Sequence, residues 1–332
     1  MAGLTEPNQI LKREDLADLI SIADMKQTPF LTRARKLKMP RNTLFEWGVD
    51  AYETPKTTGV VDGTDVSEYE DHSRNRARLK NNIQIFRRTA KVSRLAENVS
   101  DVAGETSPIA TATAKKIKEL GRDMEATFLS SNDAQSESGS AEYLTCAFGT
   151  WISTAGPTTY TVPAAFRTPA AQVISVALTS LVEDTHLQGF LQSVYDTTGM
   201  NGDYVMVCGS DLRRRFTDCL RTAATAISAS VGRVRTFTSA ASETTVSTSV
   251  AVFEGDFGTI EVLPSNFIGF SAGAPSKKLG YLLDFDKCGI KWSQATRGER
   301  LPDLGGGPRV LLEAVAGLQV DNPLGFGKIV GS

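Results

Sequence analysis

The spacing of apolar and polar residues changes several times along this chain, and each change marks an element. Leu16, Leu19, Ile20 and Ala23 recur at helical spacing within and just beyond Glu14–Ile22, and Pro29 interrupts the pattern. Residues 1–32 therefore read as an arm with one short helix. In NTLFEWGVDAYETP (42–55), the β-formers Leu44, Phe45, Trp47 and Val49 predict a strand that Pro55 ends. Residues 56–73 are polar and aperiodic, a long loop by the standards of compact domains. NNIQIFRRTAKVSRL (81–95) then alternates, with Ile83, Ile85 and Val92 apolar. Together these segments predict one large hairpin over residues ~40–95. A two-stranded ribbon is marginal in water, so this one should lean on another subunit.

The clearest helix follows. Ser107–Pro108 offers an N-cap with proline at the first helical position. Ile117, Leu120, Met124 and Phe128 form one stripe, and Lys115, Lys116, Lys118, Glu119, Arg122, Asp123 and Glu125 cover the rest. At about 20 residues and ~30 Å, it reads as a surface spar with one buried edge. Ser-rich 130–144 and Thr/Pro-rich 152–169 read as loops around a short apolar anchor, AFGTWI (147–152). From residue 172 the pattern is α/β. Val173, Val176, Ala177, Leu181 and Val182 sit at helical spacing, and Gln188–Tyr195 is a second helix. YVMVCGS (204–210) is a strand, and Asp211–Thr222 is a helix with Leu212, Phe216, Cys219 and Leu220 on one face. Segments 244–255, 258–265, 279–286 and 308–330 are strand-rich, the last stopped at Asn322–Pro323.

Charge adds a regional contrast. The 332 residues carry 36 Lys and Arg against 38 Asp and Glu, which disfavours nucleic-acid binding through overall positive charge. Arg33–Arg94, however, holds 14 basic against 8 acidic residues, and the remainder 22 against 30. Positive RARKLKMPR (33–41), negative DGTDVSEYED (62–71) and positive RNRARLK (74–80) alternate as blocks. Such blocks are solvated faces or docking surfaces for an oppositely charged neighbour, where they set register more than affinity. Arg74, Arg76, Arg78 and Lys80 form the densest positive run, with Arg87 and Arg88 following in the next strand. Trp47 is the aromatic candidate for an inter-subunit anchor, with a local cap on the hairpin as its alternative role.

Little in the chain carries chemistry. His72 and His186 are too few and too separated for a His-rich zinc site. Cys146, Cys208, Cys219 and Cys288 form no C-x-x-C pair and read as small buried hydrophobes in a reducing compartment. No nucleophile elbow, phosphate loop or H-E-x-x-H motif occurs. Gly305–Gly307 reads as a flexible connection, and Asp284 and Asp286 as the close of a strand rather than cation ligands. Arg213–Arg215 reads as a solvated helix face, with phosphate contact as the alternative. No apolar run is long enough to span a membrane, and the N-terminus is not a secretory signal. No catalytic, cofactor-binding or metal site is expected.

Seven segments, in order, resemble the tailed-bacteriophage major capsid proteins of the HK97-like fold, and among them the SU10-like major head proteins. They are TPFL (28–31), NTLFEWGVDAYETP (42–55), QIFRRTAKVS (84–93), KKIKELGRDMEATFLS (115–130), AFGTWIST (147–154), VAVFEGDFGTIEVLP (250–264) and LLEAVAGLQVDNPLGFGKI (311–329). The resemblance implies an α+β fold in five parts. These are an N-terminal arm (1–37), an extended β-hairpin loop (38–95), a peripheral domain with the spine helix (96–171), an axial domain (172–265) and closing strands (266–332). It implies a non-enzymatic structural protein that forms hexamers and pentamers and builds an icosahedral head around double-stranded DNA. Arm and loop would embrace neighbouring subunits, with Trp47, Arg74, Arg76, Arg78, Lys80, Arg87 and Arg88 between subunits. Expected partners are further copies of the chain, a portal, decoration proteins and DNA held by weak non-specific contact. With only ~30 residues before Phe30, a separate scaffold protein is expected. Assembly would occur in the bacterial cytoplasm, without a covalent Lys–Asn cross-link. An encapsulin-like shell, a tail tube and an enzyme using the 172–265 unit are the rival readings.

Overall fold

Pro29 breaks the arm pattern and also starts a helix, since a proline gives up no hydrogen bond in a first turn. The computed structural model describes residues 28–66, 69, 71, 75–99, 107–181, 183–199, 202–222, 252–271 and 274–332. The arm helix expected over Glu14–Ile22 and most of the 244–255 segment lie outside them. In chain order the first half contains α1 (Pro29–Arg33), β1 (Arg35–Leu37), β2 (Leu44–Val49), β3 (Ala77–Asn82), β4 (Gln84–Lys91), α2 (Arg94–Val99), α3 (Pro108–Phe128) and α4 (Phe148–Trp151). The second half contains β5 (Val173–Val176), α5 (Gln188–Thr198), β6 (Gly202–Cys208), α6 (Ser210–Thr222), β7 (Val252–Gly255), β8 (Gly258–Pro264), β9 (Leu279–Leu283), β10 (Cys288–Leu301), β11 (Arg309–Val320) and β12 (Gly327–Gly331).

The strands form three sheets. One is four-stranded in the order β1-β10-β11-β4, one six-stranded in the order β5-β12-β9-β6-β8-β7, and one is the β2-β3 pair. The chain divides into two units. One comprises residues 27–86, 121–295 and 314–332, and the other residues 87–120 and 296–313.

The larger unit holds two cores. Around the six-stranded sheet, Leu187, Phe190, Leu191 and Val194 of the α5 region and Leu212 and Phe216 of α6 pack on Tyr204, Met206, Ile260, Leu282 and Ile329. The second core is aromatic. Phe30 meets Phe148 edge-on at 5.1 Å and Phe128 at 6.1 Å, while Phe86 meets Phe128 at 5.9 Å. Such pairs add to the burial of four large apolar side chains. Cys146, Cys208 and Cys288 are buried free thiols, and burial raises the Cys208 thiol to about 12. The Cys219 side chain lies outside the described residues.

The smaller unit is ionic. Arg87 reaches Glu313 at 2.7 Å, Arg94 reaches Asp303 at 2.5 Å, and Lys116 reaches Glu119 at 2.6 Å. Gly305–Gly307 links β10 to β11 as an ordered turn rather than a flexible connection. Asp303 Oδ1 accepts from the N–H groups of Gly305 at 2.9 Å and Gly307 at 3.1 Å. Gly307 has φ 99°, and a Cβ there would lie 2.2 Å from the Val92 carbonyl oxygen, so only glycine fits.

Four expectations need correction. Val173–Val176 is a strand, not a helix, because it pairs in parallel with β12 from Val173↔Lys328 to Val176↔Gly331. Its β-branched residues are stiff in helices and suit that ladder. The hairpin closes earlier than expected. β2 pairs with the basic block as β3, and the 84–91 strand joins the four-stranded sheet instead. β10 was not anticipated, because its outer half, Gln294–Leu301, is polar and largely exposed and gives no apolar period. On α3, Ile117 faces water while Glu125, expected outside, is fully buried.

Candidate assembly surface

The hairpin is built from two faces of opposite character. β2 and β3 are antiparallel, from Leu44↔Asn82 to Val49↔Ala77. Alternation sends Phe45, Trp47 and Val49 with Leu79 and Asn81 to one face, and Glu46 with Arg78 and Lys80 to the other. On the outer face Glu46 accepts from Lys80 at 3.0 Å and Arg78 at 3.1 Å, and Asp50 pairs with Arg76 at 2.7 Å. The Lys80 hydrogen bond is the main cause that holds the Glu46 carboxyl below its usual range. The described part of the positive run, Arg76, Arg78 and Lys80, is thus matched by acids of its own hairpin.

On the inner face Phe45, Val49 and Leu79 are buried. Trp47 stacks on Phe45 at 5.7 Å, lies 5.7 Å from the Trp151 ring and donates through Nε1 to the Asp321 carbonyl at 3.3 Å. Its ring partners are therefore in its own chain. Asn81, fully buried, fastens β3. Its amide nitrogen donates to the Leu318 carbonyl at 2.6 Å and is shared with Cys146 O and Thr145 Oγ1, each at 3.2 Å. Its oxygen accepts from the Cys146 N–H at 2.8 Å. Nothing in the sequence signalled this residue.

Arg87 and Arg88 sit beyond the hairpin on β4, Arg87 bonded to Glu313 and Arg88 at 3.9 Å from Glu119. Arg74 lies outside the described residues. Six of the seven candidate residues thus have own-chain partners. In the Arg213–Arg215 triplet, Arg215 donates to the Thr179 carbonyl at 2.7 Å, so it ties α6 to the chain rather than lying free in solvent. Asp284 accepts from the Asp286 N–H and pairs with Lys287 at 3.1 Å, as a turn closing β9. Among the described residues, no group of three or more His, Cys, Asp or Glu side chains could hold a metal.

The loop beyond Val49↔Ala77 is different. Tyr52, Val60, Val61, Val66 and Tyr69 stand in water, Val60 85% and Val61 78% exposed. Val61–Thr64 is a β-turn closed by the Thr64 N–H on the Val61 carbonyl at 3.2 Å, with Gly63 at φ 77°.

One further anchor fixes the arm. Glu125 accepts from the N–H groups of Phe30 at 3.0 Å and Leu31 at 2.8 Å, orphan donors in the first turn of α1. Burial raises its carboxyl to about 7 despite those bonds.

The whole chain superposes on solved phage shells. With the cyanophage A-1(L) capsid it shares 15% identity and a TM-score of 0.63, covering 98% of this chain and 99% of that one. With the cyanophage P-SCSP1u capsid the values are 11% and 0.62, covering 99% and 97%. The holo-SrpI encapsulin of Synechococcus elongatus PCC 7942 gives 7% and 0.56, covering 99% and 96%. At these identities the likeness establishes the fold, which is the HK97-like capsid fold. The SU10 major capsid protein family model matches residues 3–332, and the chain belongs to that family. It is a structural protein of a phage head that associates with further copies of itself into a shell. No curated protein matches the chain.

Proposed function

We propose that this chain assembles as hexamers and pentamers into an icosahedral head that encloses double-stranded DNA. The observation that carries this reading is the contrast within the hairpin: a paired, packed base and a loop whose apolar residues have no core to enter. In this reading the arm is residues 1–37, the extended loop 38–95, the spine-bearing peripheral domain 96–171, the axial domain 172–265 and the closing strands 266–332. The loop reaches a neighbouring subunit. Trp47, Arg76, Arg78 and Lys80, having internal partners, hold it in the shape that docks, while Arg87 and Arg88 lie beyond the β2-β3 pair on β4.

A separate scaffold protein, a portal and decoration proteins complete the head, DNA is held by weak non-specific contact, and assembly takes place in the bacterial cytoplasm. Electron microscopy of particles made with and without the co-expressed scaffold tests this. Icosahedral shells that package DNA in an infected host are expected. Tubes would favour a tail component, and closed shells filled with a cargo enzyme would favour an encapsulin-like container, the reading to which the SrpI likeness lends fold-level support.

A further inference from the structure

The first basic block is not matched as the second one is. Arg33 pairs with Glu261 at 2.6 Å and Arg35 with Asp321 at 2.7 Å. Lys38 and Arg41 are exposed and, among the described residues, have no ion-pair partner. They flank an open groove of about 610 Å³ walled by Met39, Pro40, Thr43 and Ile83. Met39 is 63% exposed there, an unusual state for a large apolar side chain. Pro40 and Ile83 are buried, so the groove offers the exposed Met39 side chain between two cations that have no ion-pair partner among the described residues.

The loop turn carries the complementary features. Val60, Val61 and Val66 are exposed, and Asp62 and Asp65 are exposed acids without an ion-pair partner among the described residues. The chain's own turn and groove lie at opposite ends of the hairpin. The groove borders Leu44↔Asn82, the loop leaves at Val49↔Ala77, and the six pairs between span ~20 Å. Both surfaces are open in the same chain, so neither fills the other.

Resting on the reading of the loop as a docking element, we infer that the Val61–Thr64 turn of one copy docks in the Lys38–Thr43 groove of a second copy. Val60 and Val61 meet Met39, and Asp62 and Asp65 face Lys38 and Arg41. Complementary charge fixes the register of such a contact, and apolar burial supplies the attraction. Phosphate would match the cations but would leave Met39 in water.

The test is a charge exchange in the full-length chain. Lys38→Glu with Arg41→Glu, and separately Asp62→Lys with Asp65→Lys, should each cut shell yield ~tenfold at low salt without lowering the melting temperature, because like charges then face each other. Combining all four substitutions should restore shells. In a Met39→Cys, Val61→Cys chain, oxidation should give a ladder of linked chains on a denaturing gel. Loss in the doubles without rescue in the quadruple would overturn the inference, as would unchanged yield in either double. A linked monomer would overturn it by placing the turn in its own groove. A Lys38→Glu, Arg41→Glu chain that builds shells normally but retains less DNA would assign the groove to nucleic acid. Replacing residues 57–66 by Gly and Ser separates the two levels. Normal shells from that chain would remove the docking role of the loop altogether, whereas lost shells with failed charge rescue would remove only this groove.

Discussion

In the paired strands of the hairpin, Phe45, Val49 and Leu79 are buried, Trp47 packs on Trp151, Asn81 is saturated with hydrogen bonds, and Arg76, Arg78 and Lys80 have acids beside them. In the loop that the strands carry, Val60, Val61, Val66 and Tyr69 are exposed, and Asp62 and Asp65 have no ion-pair partner among the described residues. The base satisfies its groups within the chain, and in the proposed reading the exposed valines and Asp62 and Asp65 of the loop meet another chain. A basic sequence block is thus a poor guide to a docking surface. The run 76–80 is neutralised locally, and Lys38 and Arg41 of the other block are among the cations without an ion-pair partner among the described residues.

The contrast is sharpest in stability. Leu79→Ala empties a site that is 1% exposed and should cost ~2–5 kcal/mol. Val61→Ser should stay within ~0.5 kcal/mol, the usual range for a surface site. Chemical denaturation of the two variants measures this difference, and equal losses would erase the distinction between base and loop.

Glu125 gives a pH-dependent effect of somewhat smaller size. Its carboxyl titrates near 7 in the folded chain and near 4.5 when unfolded. Between those values the folded chain holds a proton that the unfolded chain releases, so this residue's contribution falls as pH rises through ~4.5 to ~7, then levels off. The total change is on the order of 3 kcal/mol. Glu125→Gln keeps one acceptor for the first turn of α1 and cannot titrate. The stability of wild type relative to E125Q should therefore fall from pH 4.5 to 7, and a flat difference would refute the buried titration.

The smallest effect is expected on the hairpin's outer face. Glu46→Gln removes pairs with Arg78 and Lys80 that are largely exposed and therefore weak. The melting temperature should barely move, at low or high salt. A drop of several degrees would show that the outer face contributes to the fold as strongly as the inner one.

Elements with a strong period were legible in the sequence. The Ser107–Pro108 start and the Leu120–Met124–Phe128 stripe define α3, and the α5, β6 and α6 segments fall where their apolar spacing put them. β3 and the outer half of β10 were hidden because RARLKNN and SQATRGERL are polar, and sheet pairing rather than apolar period makes them strands. The helical spacing over 173–182 was overridden by the ladder with β12. Trp47 could be recognised as an anchor, but its partners Trp151 and Asp321 lie more than 100 residues away and no local pattern names them. Asn81 and Glu125 look like surface residues in sequence, since a polar side chain announces its burial only through the groups that satisfy it.

In the proposed reading, assembly depends on the loop and folding does not. The direct measurement is the mass, by light scattering, of full-length chains in which residues 57–66 are replaced by Gly and Ser at equal length, set beside the wild type under the same conditions. The expected result is a wild-type melting temperature with species no larger than a capsomer, while the wild type forms megadalton shells. Megadalton shells from the substituted chain would contradict it.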